Sequence, residues 1–155
     1  MTGHVNPYAP PAAKGELNGD GGYRFGPIFV GAAVAFGLYS FATQCMGAFI
    51  MWTLKQRGTP LNQMYKFMYT EPAFLIPLHI IALVTLAAGG YWATRLGREV
   101  SLMHAFFAGL VFLLGELVLS LQPYSLPTAP WSEVLSWIIP MPAFLLGGLL
   151  ARRAL

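Results

Sequence analysis

Four long hydrophobic runs constrain this chain more than any other feature of its sequence. They are Pro27 to Leu54, Pro72 to Thr94, Val100 to Leu121 and about Trp131 to Ala151. Each is near or above the roughly 20 residues that an α-helix needs to cross the hydrocarbon core of a bilayer. Backbone groups in lipid must be hydrogen-bonded within their own segment, which favours helices. We therefore predict an all-α integral membrane protein with four transmembrane helices.

The charge content supports this class against the soluble alternatives. Only 10% of the residues are charged, whereas soluble domains carry roughly 25%. A small secreted domain that is stabilised by disulfides is also excluded, because Cys45 is the only cysteine. The basic residues are scattered near the ends of the runs, a pattern typical of contact with lipid headgroups rather than nucleic acid.

The runs divide the chain into two parts. Residues 1–24 are polar and rich in Gly, Pro and Asn, and they predict an irregular N-terminal tail. Residues 25–155 form the predicted four-helix transmembrane domain.

The segment between the first two runs has a helical pattern of its own. Its apolar residues recur at helical spacing: Leu61, Met64, Tyr65 and Met68. Thr59 is suited to cap such a helix, and Pro60 to occupy its first position. We predict a short interfacial helix here, with a partly ordered loop as the alternative.

The distribution of lysine and arginine predicts the orientation. With four spans, one side of the membrane carries Lys14, Arg24, Arg95, Arg98, Arg152 and Arg153. By the positive-inside rule both termini lie in the cytoplasm, although Lys55 and Arg57 on the other side oppose this. The opening Asn6 to Pro11, NPYAPP, resembles the start of many small bacterial membrane proteins. We expect the protein in the bacterial inner membrane.

Glu116 is the only charged residue deep inside a hydrophobic run. A carboxylate at membrane depth needs a partner, a water path or a proton. Runs two and three are joined by a short turn centred on Gly97, so they are predicted to be antiparallel neighbours. His79 lies eighteen positions before this centre and Glu116 nineteen after it, which places both at a similar depth.

Other polar residues are predicted at the same depth. The candidate intramembrane polar or proton site consists of Glu116, His79, Gln44, Ser120 and Ser136. In one interpretation the cluster only ties helices together. In the other it is a proton relay, a ligand for a quinone headgroup or a cation site.

No catalytic or metal-ligating residue can be assigned from motifs. The chain lacks the spacings of metal sites, a phosphate-binding loop and a serine nucleophile motif. His104 lies seven positions after the turn centre, near the inner interface, where it is expected to contact headgroups or a neighbouring helix. Its depth differs from that of His79, which argues against a haem held by both.

Three functional hypotheses follow. The first, which we favour from the sequence, is a non-catalytic accessory subunit of a larger membrane complex, for example in electron transfer. Its basis is the small size and the small residues spaced for close helix contact, which are Gly31/Ala35, Ala33/Gly37, Gly89/Ala93, Ala105/Gly109 and Gly147/Ala151.

The second hypothesis is a small proton- or ion-coupled carrier or channel that uses Glu116. The third is a redox protein that binds quinone or haem. The expected partners are bilayer lipid and either other membrane subunits or further copies of the chain. Bound lipid is expected, and quinone, haem and pigment are left open as cofactors.

Overall fold

The computed structural model of the chain describes residues 25–97, 102–121 and 128–154, all of them in helices or short connections without a strand. The helices are α1 (Phe25–Gln56), α2 (Leu61–Thr70), α3 (Pro72–Gly97), α4 (Met103–Ser120), α5 (Pro130–Ile138) and α6 (Pro140–Arg153). The predicted irregular tail, residues 1–24, lies outside the described residues.

The predicted four spans are confirmed. Helices α1, α3 and α4, and the α5–α6 unit, are each long and apolar enough to cross a membrane. Their outward faces expose many large hydrophobic side chains, among them Phe41 and Val118. Such faces are matched to the hydrocarbon core of a bilayer. The chain is a polytopic integral membrane protein.

Helix α3 is the centre of the bundle and contacts all five other described helices. Small residues let it approach α1 closely. A Cβ atom added to Gly31 would lie 2.5 Å from the Cβ of Ala93, and one added to Gly89 would lie 2.6 Å from the Cβ of Ala35. Two of the predicted small-residue pairs therefore fit against each other across the α1–α3 interface.

The α3–α6 interface is equally close. A Cβ atom on Gly90 would collide with the backbone of Phe144, and one on Gly147 with the carbonyl of Ala87. Phe144 is fully buried here and packs with Leu86 and other core residues. We call this closely packed half of the bundle the sealed half. It contains the start of α1 and the end of α6.

The fourth span is broken at Pro140. Helix α5 ends at Ile138 and α6 begins at Pro140. Pro140 has no N–H group, so the carbonyl of Ser136 lacks its usual helical donor. The N-terminal end of α5 is held to α2 by a hydrogen bond from the Ala129 N–H to the Tyr69 carbonyl, 3.0 Å long.

Helix α2 lies between the first two spans and buries Met64. The prediction that Thr59 caps it is wrong. Pro60 is the capping residue, and no side chain caps the helix. Pro60 has an extended ψ of 148°, so the helical conformation begins one residue later than expected. The position of α2 at the membrane interface stays a prediction.

Candidate functional site

A cavity of about 920 Å³ occupies the half of the bundle away from the sealed half, and we call it the central cavity. All the side chains of the predicted polar cluster line it. They are Gln44 from α1, His79 from α3, Glu116 and Ser120 from α4, and Ser136 from α5. The structure thus brings these residues together, while their role as a proton site stays a prediction.

The central cavity begins where the close helix packing ends. Its floor contains Leu86 and Phe112, which are only 2% and 4% exposed and belong to the core beneath. Its polar rim is exposed and includes Gln44, Ser120, Thr128, Glu133 and Ser136. The cavity therefore runs from an apolar floor to a polar mouth at one end of the bundle.

Glu116 lies one helical turn before Ser120 and is half-buried in the wall. Within the described parts of the chain its carboxylate has no hydrogen-bond or ion-pair partner. Glu116 does not pair with His79, which was predicted at a similar depth, because the imidazole turns towards backbone carbonyls instead. Glu116 is thus a carboxylate at membrane depth that faces the cavity and can contact a ligand there.

His79 joins α3 to α5. Its Nδ1 lies 2.7 Å from the Leu75 carbonyl oxygen of its own helix, and its Nε2 lies 3.2 Å from the Ser132 carbonyl oxygen. The ring also packs against Trp131, with 5.8 Å between the ring centroids. A neutral imidazole can donate only one of these hydrogen bonds, whereas an imidazolium donates both. With the proton on Nε2, the ring donates to the Ser132 carbonyl and links α3 to α5.

The two serines of the cluster donate their hydroxyl protons to their own helices. Ser120 Oγ donates to the Leu117 carbonyl over 2.8 Å, and Ser136 Oγ donates to the Glu133 carbonyl over 2.7 Å. Their remaining lone pairs are acceptors. In this arrangement both serine hydroxyls can offer acceptors, and no donor, to a molecule in the cavity.

Several lining residues were missed from the sequence. They are Tyr39, Tyr69, Thr128, Ser132, Glu133 and Trp137. Glu133 lies at the edge of the fourth run, and the break at Pro140 makes α5 a separate wall of the cavity. Tyr39 is close enough to Glu116 for an electrostatic interaction. The sequence signal for Tyr39 was its phenol group, which lies in a hydrophobic run that contains no charged residue.

The donor set does not favour a metal or haem. The described residues contain no group of three or more His, Cys, Asp or Glu side chains suited to a metal ion. Both ring nitrogens of His79 already face carbonyl oxygens, so neither lone pair points to a free iron position. Quinone and pigment binding stay predictions.

His104 lies in the sealed half and is buried. A Cβ atom on Gly97 would come within 2.8 Å of its Nδ1. We expected His104 to contact either headgroups or a neighbouring helix, and in the structure it packs against α3 at Gly97. The separation from His79 that the turn count predicts is therefore seen in the fold.

Comparison with known proteins gives no match to a family model, to a curated protein or to a solved structure.

Proposed function

We propose that this protein is a small proton-coupled carrier that binds its ligand in the central cavity and uses Glu116 as the exchange group. The observation that carries the proposal is the convergence of the intramembrane polar side chains on one cavity of about 920 Å³. This volume lies within the range of roughly 300–1,000 Å³ that is usual for small-molecule sites.

Glu116 suits an exchange role because no described side chain forms an ion pair or a hydrogen bond with its carboxylate. A carboxylate at membrane depth is stable when a proton or a cationic group neutralises it. Among the described residues no basic side chain does so. A proton and a ligand therefore compete for the same carboxylate, and the binding of one releases the other.

His79 connects the bundle to one wall of the cavity. It contacts α5 through the Ser132 carbonyl and through Trp131. Because α5 is a separate helix before the break at Pro140, a shift of α5 would change one wall of the cavity without disturbing the sealed half.

The test is proton movement in liposomes that contain the purified protein and a trapped pH-sensitive dye. A pH step is applied with the membrane potential clamped, first alone and then with small amines, zwitterions, neutral molecules and anions in turn. We expect the wild-type protein to carry protons in at least one condition and Glu116→Gln to fall to the rate of protein-free liposomes.

Glu71→Gln is the matched control. Glu71 is exposed, follows α2 and does not line the cavity. It should behave as the wild type. Equal proton movement by the wild-type protein and Glu116→Gln under every condition would remove Glu116 from the mechanism and overturn the proposal.

A second candidate function is that of an accessory subunit, and a different surface favours it. A groove of about 430 Å³ runs between α1 and α4 on the outside of the bundle. It is lined by Phe29, Ala32, Ala33, Phe36, Gly37, Val111, Phe112 and Gly115. Added Cβ atoms at Gly37 and Gly115 would meet nothing within 4 Å. Such a groove suits a helix of another subunit.

A further inference from the structure

We infer that the ligand of the central cavity is a monovalent organic cation with an apolar, largely aromatic body. This inference rests on the proposed function for the cavity and for Glu116. It goes further in assigning the chemical class of the ligand from the charge, hydrogen-bonding groups and surface of the cavity wall.

The charge of the wall has one sign. Glu116 lies inside the cavity and Glu133 lies at its exposed rim. No lysine or arginine belongs to the described lining, and the sequence of residues 122–127 contains none. His79 is the only basic side chain of the described lining, and both of its ring nitrogens face carbonyl oxygens. A concave surface of low dielectric constant that bears carboxylates and no lysine or arginine concentrates cations and repels anions.

Three hydroxyl groups and one backbone carbonyl of the wall also favour a cation. The hydroxyl protons of Ser120 and Ser136 are donated to their own helices, and so is that of Thr43. The Ser136 carbonyl lacks its helical donor because Pro140 follows four residues later. These four groups can act towards a ligand only as acceptors, and an ammonium group supplies the matching donors. The donors of the lining include the amide of Gln44, the phenols of Tyr39 and Tyr69 and the indole of Trp137, none of which carries a positive charge for an anion.

Aromatic rings supply much of the remaining surface, beside aliphatic side chains such as Leu78 and Leu86. Tyr39, Tyr69, Phe74, Phe112 and Trp137 all line the cavity. The faces of such rings attract cations and also pack well against apolar groups. A delocalised or substituted organic cation satisfies both, whereas a metal ion would find no group of three or more His, Cys, Asp or Glu ligands among the described residues.

The single positive charge of the ligand follows from the number of carboxylates at membrane depth in the cavity. Glu116 is the only described carboxylate at membrane depth in the cavity, while Glu133 is exposed in the first turn of α5. One proton on Glu116 is therefore exchanged for one positive charge on the ligand. The total charge inside the bundle stays the same, which avoids an uncompensated charge in either state.

The experiment compares two ions of matched shape and opposite charge, tetraphenylphosphonium and tetraphenylborate. Each is measured by equilibrium dialysis against the protein in nanodiscs of phosphatidylcholine, with empty nanodiscs as the blank. We expect the wild-type protein to bind the cation at least about tenfold more tightly than the anion, which corresponds to about 1.4 kcal/mol.

The variants locate the charge that is responsible. Glu116→Gln should lose most of the preference for the cation. Glu133→Gln should lose less, with a loss that shrinks as salt is raised, because an exposed charge is screened. Glu71→Gln should bind both ions as the wild type does.

Equal or tighter binding of the borate by the wild type overturns the inference without relying on any variant. So does a cation preference that survives in Glu116→Gln. If proton movement depends on Glu116 but responds only to neutral or anionic molecules, the ligand class is wrong and the proposed carrier stands. If the cation binds at Glu116 while proton movement ignores Glu116, the ligand class stands and the carrier proposal fails.

Discussion

At the scale of single residues, His79 makes a contact that can be tested by substitution. His79→Phe keeps a ring against Trp131 but removes the hydrogen bond to the Ser132 carbonyl. We expect it to lower the free energy of unfolding by about 1 kcal/mol, the usual net value of one such bond. His79→Gln retains a donor and should lose less. Chemical unfolding in detergent micelles measures both.

Hydrogen exchange gives this prediction a local readout. Loss of the His79 link should raise exchange in α5 (Pro130–Ile138) and leave the end of α3, in the sealed half, unchanged. Wild-type stability and wild-type exchange in His79→Phe would contradict the assigned link.

The depth of His79 and Glu116 could be predicted from the sequence because a short turn fixes the register of two antiparallel helices. Their mutual contact could not. Depth follows from counting residues, whereas the direction of a side chain depends on helix rotation. The partner of His79 on α5 is the backbone carbonyl of Ser132. Every residue has a carbonyl, so no sequence pattern marks that one.

At the scale of the helices, the close contact of α3 and α6 predicts which glycines resist substitution. A Cβ atom on Gly147 would overlap the Ala87 carbonyl, whereas one on Gly115 would meet nothing within 4 Å. Gly147→Ala should therefore lower the free energy of unfolding by roughly 1–3 kcal/mol or more, as overpacking does. Gly115→Ala should be neutral or stabilise by up to about 1 kcal/mol.

Unfolding of the two glycine variants in mixed micelles, followed by circular dichroism, measures this difference. The two substitutions add the same methyl group to helical glycines, so helix propensity cancels between them. Equal effects of the two would mean that α3 and α6 are not in backbone contact at Gly147.

The small-residue pairs illustrate what sequence can reveal about helix packing. Four of the five pairs lie inside the bundle, whereas Ala33 and Gly37 face the outer groove. Spacing by four residues defines a stripe along a helix, not the direction in which it points. Ala33 is two positions from both Gly31 and Ala35, which turns it by about 200° to the opposite face of α1.

At the scale of the whole molecule, the outer groove predicts association if the protein is an accessory subunit. The wild-type protein, purified in mild detergent, should then retain a partner subunit or a second copy. Gly37→Leu fills the groove and should release it. Gly26→Leu is the matched control, because Gly26 is on the same helix, has equally open space and lies outside the groove.

Light scattering and mass spectrometry of the purified complexes give the result. A stable, monodisperse wild-type monomer with no accompanying protein would count against the accessory role. Equal loss of the partner in both leucine variants would show that the interface does not lie in the groove.

The division of the bundle into a sealed half and an open half determines where the membrane voltage falls. From Leu86 to Gly97, helix α3 runs about 16 Å through close-packed residues. Water in the open half would carry the potential of its own side down to Glu116, so most of the voltage drops across the sealed half. Moving one charge through that half changes its energy by about 2.3 kcal/mol per 100 mV, whereas reaching Glu116 from the mouth changes it little. Binding at the carboxylate is thus insensitive to voltage, and any voltage dependence belongs to passage between α1, α3 and α6.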